Sequence, residues 1–278
     1  MKALQRLTLG LALLLLAWFI VKEAIEPHWT IRLAALLRPG PPPHELVLAD
    51  GLTLRAYSDT RPHVGKITPL QKGLVLVQDG DELIEEGYGF GKPIVIYQGR
   101  AFSSQHATVR AFPDEQRIVK QFNIDVEDTW TELFRRKYRP VAPLGRITFT
   151  YTVTAPGVLD VAVDFSGLTV RPELVYLPNE QGARHFTLYS DSEGIERDFE
   201  DFADQWVPTT AQTTCFTSRT RGLRFCTETE PGQAKYVGRE RYNQYRWSGI
   251  FWLSWAGTDI ELAAPTGTYR YRVTVERR

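Results

Sequence analysis

The chain has 278 residues, of which 43% are hydrophobic and 24% charged, the balance of an ordinary globular protein. Lys plus Arg and Asp plus Glu each number 33, so the formal net charge is zero. That argues against a nucleic-acid partner, because neutralising phosphates calls for a basic surplus. Two cysteines are too few for a cysteine zinc site, and neither a metal nor another cofactor is expected.

Residues 7–21 form an unbroken run dominated by Leu, with Lys2 and Arg6 before it and Lys22 after it. The run predicts a single-pass transmembrane signal-anchor over residues 1–22, its short length extended by snorkelling basic ends. A cleaved signal peptide is the rival, but no small-x-small site follows directly. The flanking charges balance and do not orient the chain. In residues 29–38, Trp29, Leu33, Leu36 and Leu37 can share one helical face, as an interfacial helix on the membrane or a helix docked on the domain. Pro39, Gly40, Pro41, Pro42 and Pro43 then make a stiff spacer. Residues 23–43 are thus interfacial helix and spacer, and residues 44–278 a single domain.

The domain reads as all-β: a large antiparallel β-sandwich with one or two short helices, a barrel being the second choice. Asp50-Gly51 and Asp79-Gly80 are two-residue hairpin signals. Ile147, Phe149, Tyr151 and Val153 alternate with threonines. After the Ala155-Pro156-Gly157 turn, Leu159, Val161, Val163 and Phe165 alternate with Asp160, Ala162 and Asp164. Tyr269, Tyr271, Val273 and Val275 repeat the pattern near the end. Ile195, Phe199, Phe202 and Trp206 stand at helical spacing, so residues 193–206 are predicted as an amphipathic helix whose acids face solvent rather than calcium. Residues 129–138 are predicted as a short helical turn.

Cys215 and Cys226 flank a turn at residues 219–222, which sets them opposite each other in a hairpin. A disulfide is expected there, and with it an extracytoplasmic location for the domain.

Four features carry chemistry. The Gly-rich stretch around Tyr88 precedes a strand rather than a helix, which argues against a dinucleotide fingerprint and leaves a bulge or tight loop, with a ligand-facing loop as the alternative. His106 and His185 lie in strand-like segments and are candidate acid/base residues, beside the alternative that each is a satisfied, partly buried histidine. The run from Arg239 to Trp255 interleaves flat rings with hydrogen-bonding groups, as a sugar-binding surface requires, beside the alternative of a sandwich core in which Trp and Tyr fill space and the Arg residues pair with acids on neighbouring strands. On a strand, Arg239, Arg241, Asn243, Tyr245 and Trp247 share one face, while Glu240 and Tyr242 share the other. Arg239, Asn243, Tyr245, Trp247 and Tyr88 are the candidate ligand contacts. Arg241 and Tyr242 join the two histidines as candidate catalytic groups. The expected function is a membrane-anchored, extracytoplasmic domain that binds or processes carbohydrate, and the alternative is a non-catalytic envelope protein that binds another protein. No nucleophile elbow, zincin helix or P-loop settles whether it is an enzyme.

Overall fold

A computed structural model describes residues 2–25, 41–58, 70–84, 88–130, 136–202, 205–243 and 252–278. Among them, strands form three antiparallel sheets. A small sheet joins His44–Ala49, Leu52–Ala56, Val75–Gln78 and Asp81–Glu82. Sheet I runs, in spatial order, Arg136–Pro140, Val126–Trp130, Arg100–Ser103, Ile94–Tyr97, Leu174–Gln181, Trp252–Ala263, Lys235–Asn243 and Trp206–Thr209, with Gly89–Phe90 paired beside Leu174–Gln181. Sheet II runs Glu196–Asp198, Leu188–Asp191, Thr213–Ser218, Leu223–Glu228, Thr268–Arg277, Val158–Asp164, Arg146–Ala155, Arg117–Asn123 and Ala107–Phe112.

The period-two alternation decides which side of each sheet is buried. Ile147, Phe149, Tyr151, Val161, Val163, Val273 and Val275 from sheet II meet Val175, Leu177, Ala256 and Ile260 from sheet I in one core cluster. The fold is therefore a β-sandwich, and Leu46, Leu48, Leu52 and Leu54 of the small sheet join the same cluster. Polar pins cross this core. Tyr271 Oη donates to Asn179 Oδ1 at 3.1 Å, Thr214 and Thr258 share a hydroxyl bond of 2.7 Å, and Tyr151 Oη donates to the Gly91 carbonyl at 2.7 Å. A buried hydroxyl costs free energy unless it is bonded, so these contacts select one register of sheet on sheet.

The hairpin signals hold: Ala49 pairs with Leu52 across Asp50-Gly51, and Gln78 with Asp81 across Asp79-Gly80. Cys215 faces Cys226 and the two form a disulfide.

Three expectations are corrected. The N-terminal helix spans Lys2–Ile25, and the side chains of Leu9, Leu13, Leu14 and Trp18 are exposed. Yet among the described residues no helix is long and apolar enough to cross a membrane. The physical reason is reach: residues 7–21 rise only about 22 Å as a helix, against a hydrocarbon core of ~30 Å. Residues 193–206 do not form one amphipathic helix. Asp191 Oδ1 takes the N–H groups of Glu193 and Ile195, each at 3.0 Å, and Gly194 sits at φ +85°. That turn folds Glu196–Asp198 back onto Leu188–Asp191. A 3₁₀ turn at Phe199–Phe202 then packs Phe202 edge-on against Tyr189 at 5.5 Å. The helical spacing of the apolar residues served a hairpin and a turn instead. Around residues 129–138, Thr129 pairs with Lys137 and Trp130 with Arg136, so strands replace the expected helical turn. The predicted helix at residues 29–38 lies outside the described residues.

Candidate functional site

The outer face of sheet I concentrates the chemistry. In Leu174–Gln181, Val175 and Leu177 point into the core, so Tyr176, Pro178 and Glu180 share the opposite face. Register carries that face across the sheet. Glu180 pairs with Gly257, Gly257 with Gly238, and Gly238 with Trp206. With strands ~4.8 Å apart, this row is about 14 Å long and has side chains only at its ends. The result is a row free of side chains between a carboxylate and an indole. Neither glycine is replaceable: a Cβ on Gly238 would lie 2.1 Å from the Gln205 carbonyl oxygen, and one on Gly257 2.1 Å from that of Asn179. Strand glycines mark such close approaches. The neighbouring rows supply the walls, Pro178–Asp259–Tyr236 on one side and Trp255–Glu240 on the other.

Glu180 is buried, and its Oε2 accepts the Tyr88 N–H at 2.9 Å. Asp259 is half-buried as a residue, but its Oδ1 is enclosed and has no hydrogen-bond partner among the described residues. The Asp259 carboxyl is held well above the ordinary carboxylate range, first by burial, then by the charge of Glu180 and a hydrogen bond to it, with Glu240 adding to the effect. Like charges this near disfavour each other, which favours the protonated form of Asp259. Lys92 opposes the shift without reversing it. Its buried ammonium stands 3.5 Å above the centre of the Tyr88 ring. Tyr176 meets Tyr236 edge-on at 6.3 Å, and burial together with its bond to Glu261 pushes its hydroxyl up to about 12. The arrangement offers a proton donor and a proton acceptor side by side, with flat rings nearby.

Of the sequence candidates, Tyr88 stands at this site, bound through its backbone to Glu180. Arg239 is buried opposite Ala256, on the core-facing side of the same sheet. Arg241, Tyr242 and Asn243 occupy the end of Lys235–Asn243, opposite Ser254, Leu253 and Trp252. Tyr245 and Trp247 lie outside the described residues. His106 sits in the connection between Arg100–Ser103 and Ala107–Phe112, not within a strand. Its Nδ1 is 2.6 Å from Asp125 Oδ2, and its ring is 75% exposed. Asp125 also takes the Gln105 N–H at 2.7 Å, so His106 helps satisfy a carboxylate that is largely buried.

His185 ends the 3₁₀ turn Ala183–His185 and is buried. Arg184 Nε donates to its Nε2 at 3.3 Å. Burial lowers its pKa to about 4, with Arg184 and Arg221 adding to the fall. No hydrogen bond or ion pair joins His106 to His185 among the described residues. His185 is thus neutral near pH 7, and the sign of its linkage follows. The unfolded chain binds the proton near 6.5 and the folded chain only near 4, so stability is present above pH 6.5 and is lost as pH falls toward 4. The loss is at most ~3 kcal/mol. His185→Gln should flatten that acid limb. Urea midpoints at pH 7 and pH 4.5 check it, and an unchanged difference between the two would count against the assignment.

Sequence reasoning passed over Glu180, Asp259, Gly238 and Gly257. Two signals were present: a polar Asn179-Glu180-Gln181 end on an apolar strand, and glycines inside strand patterns. Two cavities lie elsewhere. One of about 500 Å³ on sheet II is lined by Thr150, Asp160, Glu228, Arg270 and Arg272. Another of about 360 Å³ is lined by Tyr189, Asp191, Phe202 and Lys235. The Lys235 ammonium is committed there, donating to Gln212 O at 3.1 Å and Thr229 Oγ1 at 2.7 Å, and burial lowers its pKa to about 8. Among the described residues no group of three or more His, Cys, Asp or Glu is placed to hold a metal ion.

No family model matches the chain, and no curated protein matches it. Among solved structures it is similar to an aldose 1-epimerase candidate from Escherichia coli K12, at 11% identity and a TM-score of 0.48, over 86% of this chain and 100% of that one. It is also similar to a galactose mutarotase related enzyme from Lactobacillus acidophilus, at 8% identity and a TM-score of 0.40, over 84% of this chain and 97% of that one. A mutant heparan sulfate lyase from Pedobacter heparinus is similar at 8% identity and a TM-score of 0.41, over 82% of this chain and 33% of that one. The chain therefore spans about a third of the lyase's length.

Proposed function

We propose that the domain binds a saccharide on the outer face of sheet I beside Glu180 and Asp259 and moves protons at its anomeric centre. The observation that supports this reading is that Glu180 and Asp259 stand in neighbouring rows on one face of sheet I, close enough that the charge of Glu180 helps hold the Asp259 carboxyl above its ordinary range. Ring opening of a reducing sugar suits such a pair, because the two oxygens that exchange protons share one carbon. Asp259 gives its proton to the ring oxygen as the bond from that oxygen to C1 breaks. Glu180 takes the proton of the C1 hydroxyl as the C1 carbonyl forms. Reclosure on either face of the carbonyl returns both protons and interconverts the anomers. The indoles of Trp206 and Trp255 offer apolar faces for the C–H side of the ring.

The disulfide suits an oxidising, extracytoplasmic compartment. The exposed leucines of Lys2–Ile25 suit association with a bilayer surface without crossing it. The test is exchange spectroscopy by NMR on a panel of reducing sugars with the full-length, oxidised protein. Faster anomer exchange than buffer alone supports the reading. Binding without exchange would reduce it to a carbohydrate-binding module, and neither binding nor exchange would remove it.

A further inference from the structure

A polar groove lies on the other side of the sandwich. In Arg146–Ala155, Ile147, Phe149 and Tyr151 point into the core, so Thr150 and Thr152 share the outer face of sheet II. Register sets two rows across that face. One runs Thr152, Asp160, Arg272, Glu228, and the next runs Thr150, Ala162, Arg270. Arg272 Nε donates to Asp160 Oδ1 at 2.7 Å, and the charge of Glu228 reaches the same guanidinium. Arg270 is exposed and makes no hydrogen bond or ion pair among the described residues. Ala162 brings only a methyl group between Thr150 and Arg270, which makes it the low point of the floor. Gln212, Glu230 and Pro231 form one wall. That wall is pinned from inside. Lys235 Nζ donates to Gln212 O at 3.1 Å and to Thr229 Oγ1 at 2.7 Å, and the Thr229 N–H donates to Gln212 O at 3.0 Å. The cavity so formed, about 500 Å³, falls in the range of ~300–1,000 Å³ that small-ligand sites occupy.

We infer that this groove is a second saccharide site, one that holds a neutral sugar by its hydroxyl groups. The carboxylates of Asp160, Glu228 and Glu230 can only accept hydrogen bonds, and the guanidiniums of Arg270 and Arg272 can only donate them. A ligand that satisfies both kinds at close quarters needs groups that do both, which is the property of a sugar hydroxyl. An anion would meet three carboxylates here and a cation two guanidiniums, so a neutral polyol carries the smallest charge penalty. Ala162 and Pro231 supply the apolar contact that the C–H side of a ring takes. The ligand class follows from this groove alone and does not depend on ring opening at sheet I.

The experiment reads the Ala162 methyl by NMR in the full-length, oxidised protein with isotope-labelled alanine methyls. The probes are methyl β-cellobioside and methyl β-maltoside, whose blocked anomeric centres cannot open, with glucuronate and diglycine as charged controls. We expect at least one glycoside to shift the Ala162 methyl saturably, with an affinity at least threefold above that of either control. Arg270→Ala, which removes an exposed side chain, should weaken that binding at least fivefold. Asp259→Asn should leave it unchanged, because Asp259 belongs to the other sheet. No saturable shift from either glycoside, or an affinity indifferent to Arg270→Ala, would overturn the groove as a sugar site, while anomer exchange at sheet I would stand or fall on its own measurement. Glucuronate or diglycine binding as tightly as the glycosides would overturn the neutral-sugar assignment and give the groove to a charged ligand.

Discussion

Asp259→Asn is expected to lower anomer exchange between about a hundredfold and ten-thousandfold, the range that a positioned general acid contributes. Glu180→Gln should cost about as much. The double variant should lose little more than either single one, because a donor and an acceptor that act as a unit are not additive. An amide keeps the size and most of the hydrogen bonding of the carboxyl but cannot hand over a proton, so circular dichroism should be unchanged. Stability has its own sign. A carboxyl raised above its ordinary value is more protonated in the folded chain than in the unfolded one. Its stabilising contribution is complete below about pH 3.8 and is lost as pH rises through the folded pKa. Asp259→Asn should therefore flatten an alkaline decline in stability that the parent shows. Exchange rates within twofold of the parent, in variants that fold, would remove the carboxyl pair from the chemistry.

The sandwich was legible because its signals are local. Ile147 through Thr154 alternate without interruption, Asp50-Gly51 and Asp79-Gly80 close two-residue hairpins, and the turn at residues 219–222 sets Cys215 against Cys226. The failures share one cause. Phe199, Phe202 and Trp206 have helical spacing, but Gly194 and the Asp191 turn fold the start of that segment back onto the strand just before it. Spacing records which residues are apolar, not which partner buries them. The site was harder still. Glu180, Gly257, Gly238 and Trp206 form one row only once three strand pairings are fixed, and those pairings join residues up to 77 positions apart. Tyr88 was found because a Gly-rich loop announces itself. Its partner Glu180 lies 92 residues away and carries no local mark.

The glycine loop makes the second large effect. Gly91 sits at φ +73°, and a Cβ there would lie 2.8 Å from Tyr271 Oη and 2.9 Å from the Phe149 ring. Its N–H donates to Pro178 O at 3.0 Å, and its carbonyl accepts the Tyr151 hydroxyl. Gly91→Ala therefore combines a left-handed backbone cost of about 1–2 kcal/mol with overpacking of about 1–3 kcal/mol. We expect a total near 3 kcal/mol in urea unfolding. Gly80→Ala is the control. Gly80 sits at φ +92° with nothing within 4 Å, so only the backbone cost of roughly 1–2 kcal/mol applies. Equal losses at the two positions would show that the contact with Tyr271 and Phe149 does not matter. An excess at Gly91 has a functional consequence, because the atoms it displaces hold Pro178 and Asn179. Tyr271 Oη donates to Asn179, and Asn179 immediately precedes Glu180. Any shift there moves Glu180 relative to Asp259, so the folded fraction of Gly91→Ala should also exchange anomers more slowly than the parent, whereas that of Gly80→Ala should not.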